Sequence, residues 1–254
     1  MQEPKIQLSN VRKAYGGRTV VDVENLALGR HGIEGLIGPN GAGKTTLMSL
    51  ITHKVSLDHG SIVFNAGTEG VVLSERSLDE IARLGVVRTN QIIQDFESLS
   101  IVDSILLSLA PSRYEKLYSL FSEEQMQREM RPAVEEYLSY FQFSDPAGHA
   151  LSAGEKKLLD IIRCLALKPK FLLMDEPTTG LHQDQTDRVL ELIRRLTRDD
   201  GMSVLIIEHD LDVIWNACEH VHFMAEGQIM TQGSPAEIRS NNMVEIKYLG
   251  EPGA

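Results

Sequence analysis

The sequence predicts an α/β fold built on a parallel sheet covered on both faces. Three observations carry this. GLIG, FLLM and SVLII are short, continuous apolar runs, the pattern of strands buried on both sides. Amphipathic helical segments separate them, as crossover connections between parallel strands require. A glycine-rich loop joins the first of these runs to a helix. The 254 residues are 42% apolar and 24% charged, enough for one large domain or two small ones, with a core that needs no staples.

The elements follow in order. IQLSNVRKAY alternates apolar and polar residues and reads as a half-buried strand. IVFNAG, after an expected turn at Asp58-His59-Gly60, reads as another. GLIG runs into Gly38, and a helix begins near Lys44, with Leu47, Leu50 and Ile51 at spacings of three and four. From about Ser100 to Tyr140 the character changes. Leu, Met, Glu and Arg dominate, glycine is absent between Gly85 and Gly148, and Ser122 with Gln125 has the form of a capping box. This is a helical insertion, its acidic 123–136 stretch a solvated face. GEKKLLDIIRCLAL is an amphipathic helix, FLLM a buried strand, and DQTDRVLELIRRLTRDD a helix closed by Gly201. SVLII is a further buried strand. HFMAEGQIMTQG is a hairpin turning at Glu226-Gly227.

Charge and composition narrow the partners. Twenty-five basic against thirty-six acidic residues give −11, which argues against binding to exposed nucleic-acid backbone. A single nucleotide needs only one local basic pocket and stays open. Cys164 and Cys218 are too few for a disulfide framework and fit a reducing cytosol. No apolar run reaches the ~18–20 residues of a membrane span, and the N-terminus lacks the apolar stretch of a signal peptide.

The sharpest motif is GPNGAGKTT, which runs Gly38, Pro39, Asn40, Gly41, Ala42, Gly43, Lys44, Thr45, Thr46. It satisfies G-x-x-x-x-G-K-[ST] between a strand and a helix. Phosphate oxygens need several N–H donors pointing the same way, and a glycine-rich loop at a helix N-terminus supplies them. Lys44 adds a point charge, and the Thr45 hydroxyl is a ligand for Mg²⁺. FLLMDEP delivers Asp175 and Glu176 at the end of a strand. Alone, such a pair is a solvated turn. Beside a phosphate loop, Asp175 becomes the metal carboxylate and Glu176, on the other side of the strand, polarises water. SVLIIEHD brings Glu208, His209 and Asp210 to the same edge, with His209 a contact to the terminal phosphate. Cys218, His220 and His222 alternate, as a soft metal site would, but three ligands at a strand edge fit ordinary structure better.

Leu151-Ser152-Ala153-Gly154-Glu155 precedes Asp175 by 24 residues. It resembles the L-S-G-G-Q signature of ATP-binding cassette (ABC) ATPases. With GPNGAGKTT, DEP and EHD in that order, the resemblance covers about residues 4–250. It implies a P-loop NTPase (RecA-like) core with an antiparallel β-subdomain and a helical subdomain. Over a single domain of 4–250, residues 1–91 would hold the β-subdomain and the phosphate-loop part of the core. Residues 92–150 would be the helical subdomain, 151–240 the rest of the core and 241–254 a C-terminal tail.

The resemblance also assigns roles. ATP and Mg²⁺ are the cofactors. Lys44 and Glu176 serve hydrolysis with His209 and Gln91, and Gln91 also contacts the metal held by Thr45 and Asp175. Tyr15 stands where an aromatic stacks on adenine. Ser152, Ala153, Gly154 and Glu155 would close over the nucleotide of a second cassette in a homo- or heterodimer, and Thr178 to His182 would cross that interface. The Gln91 loop would report to a transmembrane permease, placing the chain in the cytoplasm at the inner face of the membrane with no nucleic-acid partner. GLIGPNGAGKTTLMSLIT, EIARLGVVRTNQ and GSPAEIRSNNMVEIKYLGE resemble the ATPases of branched-chain amino acid and urea importers. The Y-L-G-E ending also resembles a lipopolysaccharide-export ATPase, and a soluble, non-transport ABC switch is the third reading. Ala153, Glu155, His182 and Asn90 depart from the usual pattern. Glu155 would add a charge near the partner's phosphate. The short ALGRHGIEG segment would trim the antiparallel strands before the phosphate loop.

Overall fold

Polar–apolar alternation lays down the first sheet, and continuous apolar runs lay down the second. In a computed structural model, residues 3–65, 67, 70–89, 100–102, 105–106, 131–132, 134–141, 143 and 151–249 are described. Two compact units emerge: Met1–Arg88 with Lys170–Pro177 and Ile193–Ala254, and Thr89–Pro169 with Thr178–Leu192.

The first unit contains both sheets. Strands β1 (Ile6–Tyr15), β2 (Arg18–Leu28), β4 (His59–Asn65) and β5 (Gly70–Val72) form an antiparallel sheet in the order β2-β1-β4-β5. Strands β3 (Ile33–Ile37), β6 (Val86–Arg88), β7 (Phe171–Asp175), β8 (Ser203–Ile207), β9 (His220–Ala225) and β10 (Gln228–Gly233) form the other, in the order β10-β9-β3-β8-β7-β6. From β9 to β6 it is parallel, and only β10 runs against its neighbour. Every residue of β3, β7 and β8 is buried, as their apolar stretches predict, and Glu34, Asp175 and Ser203 are buried with them.

Helix α1 (Lys44–Ile51) belongs to one apolar core with residues of both sheets: Leu47, Leu50 and Ile51 with Leu8, Val23, Phe64, Phe171 and Leu205. Each such large side chain, fully buried, stabilises by about 1.5–3 kcal/mol. Helix α2 (Leu78–Leu84) starts at a Ser77–Glu80 capping box and stops at Gly85. The second unit holds helix α3 (Ala153–Ala166) and the start of α4 (Gln183–Asp199). Leu158, Leu159, Ile161, Ile162 and Leu165 are all buried on α3, as is Cys164, whose thiol burial pushes well above its ordinary range. The remaining helices are α5 (Leu211–Ala217), α6 (Pro235–Arg239) and α7 (Asn242–Leu249), the last within the expected tail. Among the described residues no helix is long and apolar enough to cross a membrane. The expected Ser122–Gln125 cap lies outside the described residues.

Two local expectations change. The turn expected at His59-Gly60 is the start of β4. The chain bulges opposite it, where Asn10 has a φ of 51° and the β1–β4 register shifts between Ser9 and Arg12. The antiparallel strands are not trimmed, since β1 and β2 pair through Ile6 and Leu28. The short segment instead makes a tight turn held by one carboxylate. Glu34 Oε1 accepts the N–H groups of Gly29, Arg30 and His31 at 3.1, 3.0 and 3.1 Å. Its Oε2 lies 3.2 Å from His222 Nε2, and His222 Nδ1 lies 3.0 Å from Gln232 Oε1. His222 is thus part of a buried polar network. His220 stacks on His31 at 4.8 Å, and burial pushes the Cys218 thiol up to about 12. Among the described residues no cluster of histidine, cysteine and carboxylate side chains is arranged to hold a metal ion.

Candidate active site

The central strand ends where the chemistry begins. β3 lies between β8 and β9 and hands the chain to Gly38. Gly38 has a φ of 154°, and a Cβ there would sit 1.9 Å from the Met224 carbonyl oxygen, so only glycine fits. Ala42 N–H donates to Pro39 O, and Gly227 N–H donates to Ala42 O, which fixes the loop against the β9–β10 turn. Helices α2, α3 and α6 each begin at a serine with a capping box. Helix α1 begins after Gly43, which supplies no side-chain acceptor. The first N–H groups of α1 are thus left without a side-chain cap, where an anion can take its place.

Lys44 is buried, and its Nζ donates to the carbonyls of Gly38 (2.6 Å) and Pro39 (3.1 Å). Burial lowers its pKa, while Asp175 and Glu176 pull it back up. A cavity of about 290 Å³ is lined by Val20, the loop from Asn40 to Thr46, Glu176, Ile207 and His209. Its position outside the carboxyl ends of parallel strands is the usual place for a ligand in such sheets.

The carboxylates differ sharply. Asp175 is the last residue of β7, opposite Ile207 of β8, and its side chain is 1% exposed. Arg88 Nη2 donates to Asp175 Oδ2 at 2.9 Å. Glu176 lies past the strand end, with a φ of 49° and its N–H donating to Ile207 O at 2.8 Å. Strand alternation, the basis for placing it on the opposite face, does not reach it; the left-handed residue turns the chain instead. Its Oε1 lies 3.1 Å from His209 Nε2. Of the other residues expected at this edge, Glu208 is buried and Asp210 caps α5 through Asp212 N–H. Tyr15 is 49% exposed at the end of β1, with Lys13 Nζ 5.4 Å from its ring centroid, and does not line the cavity. Gln91 lies outside the described residues.

In the second unit Ser152 is the N-cap of α3. Glu155 is 5% exposed, and its Oε2 accepts from Ser152 N–H at 2.9 Å and from Ser152 Oγ at 2.7 Å. The carboxylate expected to face a partner's phosphate is folded back onto its own helix cap. A glutamate is what a capping box takes at this position. A Cβ on Gly154 would lie 2.9 Å from Gly180 O, so these residues pack closely on the 178–182 loop. That loop is closed by Leu181 N–H donating to Thr178 O, and His182 N–H donates to Gln185 Oε1.

Sequence reasoning missed Arg88 and Ser49, whose Oγ accepts from Arg88 Nη1 at 2.9 Å. The only available signal was a charged residue ending the apolar run GVV.

A parallel sheet with a glycine-rich loop after its central strand and acidic ends on the neighbouring strands defines a P-loop nucleoside-triphosphatase. The ABC transporter family profile matches residues 22–179. The chain belongs to that family and is an ATPase subunit of it. Two curated relatives span nearly the whole chain. The high-affinity branched-chain amino acid transport ATP-binding protein BraF of Pseudomonas aeruginosa is 31% identical over 260 residues, covering 99% of this chain and 100% of its own. The lipopolysaccharide export system ATP-binding protein LptB of Escherichia coli is 33% identical over 242 residues, covering 95% of each. A nucleotide-free ATP-binding cassette from an ABC transporter matches with a TM-score of 0.80 and 28% identity, over 98% of this chain and 100% of that one. Another cassette, in its ADP conformation, matches with a TM-score of 0.78 and 29% identity, over 99% and 100%.

Proposed function

We propose that this chain binds Mg²⁺–ATP in the cavity above β3 and couples its hydrolysis to a membrane permease that carries branched-chain amino acids or a related small polar solute. The observation that carries this reading is the convergence of the phosphate loop, Glu176 and His209 on one cavity. The residues present fit the metal and nucleotide: an uncapped helix N-terminus, a buried lysine and a buried carboxylate. Lys44 and the loop N–H groups bind the phosphates, and Thr45 and Asp175 hold Mg²⁺. Held there, the metal would supply positive charge beside the phosphates. Glu176 takes a proton from water as its oxygen bonds to the terminal phosphorus and the bond to the ADP oxygen breaks. His209 holds Glu176 and the terminal phosphate in place. Gln91 senses the site, and Tyr15 stacks adenine once nucleotide is bound.

Two cassettes would close head to tail, with Ser152 to Glu155 of one over the nucleotide of the other, at the cytoplasmic face of the membrane. The importer reading rests on BraF and the export reading on LptB. The permease that co-purifies with the chain separates them. For the chemistry, Glu176→Gln keeps binding of a fluorescent ATP analogue and lowers turnover about 10²–10⁴-fold. Turnover at the wild-type rate would remove Glu176 as the base.

A further inference from the structure

Arg88 joins two residues that stand on different elements of the site. Its Nη2 donates to Asp175 Oδ2 and its Nη1 to Ser49 Oγ, both at 2.9 Å. The Ser49 hydroxyl in turn donates to Thr45 O at 2.8 Å. One guanidinium therefore ties the first turn of α1, which carries Thr45, to the end of β7, which carries Asp175. Its planar fork suits this task, because two donors leave it in fixed directions. The Asp175 carboxylate is 1% exposed and the Arg88 side chain 12%. A carboxylate so far from water is oriented by its hydrogen-bond partners rather than by solvent. Arg88 ends β6, in register with Leu173 of β7, and the chain reaches Gln91 three residues later.

We propose that Arg88 is a positioning residue for the divalent cation. It aims the Asp175 carboxylate before metal arrives and fixes its spacing from Thr45. This rests on the reading of Thr45 and Asp175 as metal ligands. Removing a partner that orients a metal ligand typically weakens metal binding by about 10–100-fold.

The test titrates Mn²⁺ into the full chain saturated with ADP and follows the free-ion electron paramagnetic resonance signal. Arg88→Gln weakens Mn²⁺ binding about tenfold or more, while ADP affinity in chelator stays at the wild-type value. Arg88→Lys, which reaches one partner but not both, falls between. Mn²⁺ affinity within about twofold of wild type in Arg88→Gln, even with a lowered melting temperature, overturns the proposal and leaves Arg88 a structural residue. Should Arg88→Gln fail to fold, wild-type Mn²⁺ affinity in both Arg88→Lys and Ser49→Ala overturns it. Asp175→Asn separates the two readings. If it too binds Mn²⁺ normally, the metal role of Asp175 falls and this proposal with it. If it loses Mn²⁺ while the Arg88 variants do not, only the positioning role falls.

Discussion

Glu34→Gln keeps the shape of a buried side chain and removes its charge. Glu34 is 1% exposed. One carboxylate oxygen accepts three backbone N–H groups and the other faces His222. Burial alone would push its carboxyl up. The hydrogen bond from His222, the charge on that ring and the N–H groups of His31 and Gly29 together bring it below its ordinary 4.5. In the variant an amide nitrogen or a neutral oxygen faces His222, and the three N–H bonds lose their charge assistance. Hydrogen bonds to a charged group contribute about 1.5–3 kcal/mol. At about 2–4 °C per kcal/mol for a domain of this size, the melting temperature falls by roughly 3–12 °C at pH 7.5. The sign of the pH dependence is fixed. A carboxyl lower in the folded than in the unfolded chain binds fewer protons folded, so its contribution is complete above about 4.5 and fades as pH falls through the folded value. Wild type and variant therefore converge below pH 4.5. Thermal melts from pH 7.5 to 3.5 measure both effects. A variant within about 2 °C of wild type at pH 7.5, or a gap that does not narrow in acid, refutes the reasoning.

The phosphate loop and the outer histidines give two more tests. Gly38→Ala places a methyl group 1.9 Å from Met224 O and lowers the ligand-free melting temperature far more than Gly41→Ala. At Gly41 a Cβ meets nothing within 4 Å and only the φ of 79° is strained, at about 1–2 kcal/mol. Equal melting temperatures for the two variants would contradict the packing argument. His220 is held below its ordinary 6.5 by burial first and by the charges of His222 and His31 second. The folded chain then binds fewer protons than the unfolded one, so stability drops as pH falls below about 6.5. His220→Gln flattens melting temperature against pH between 7.5 and 5.5; an unchanged slope contradicts the assignment.

The parts of the fold that sequence reveals are those written in local pattern. GLIG, FLLM and SVLII are legible because a strand buried on both faces has no polar position to accommodate. The phosphate loop is legible because one short segment carries all its chemistry. What stays hidden depends on distant partners. Arg88 and Asp175 are 87 residues apart, and Glu34 and His222 are 188 apart. No periodicity links such pairs. The left-handed turn at Glu176 is hidden for another reason, since alternation is valid only inside a strand and β7 stops one residue earlier. Glu155 is an instructive case in between. Ser152 and Glu155 have the S-x-x-E spacing of a capping box and also stand in the family signature, so one stretch of sequence carries two meanings.

β3 is held at both ends. Below, the Glu34 carboxylate ties it to the turn before it and to β9. Above, Gly38 lies against the Met224 carbonyl with no room for a single added carbon. β3 itself is five residues, about 16 Å of strand, hydrogen-bonded on both sides. Mechanically this is a post with very low compliance. It cannot slide or tilt without breaking a ladder on one flank, so it sets a fixed zero for displacement within the first unit.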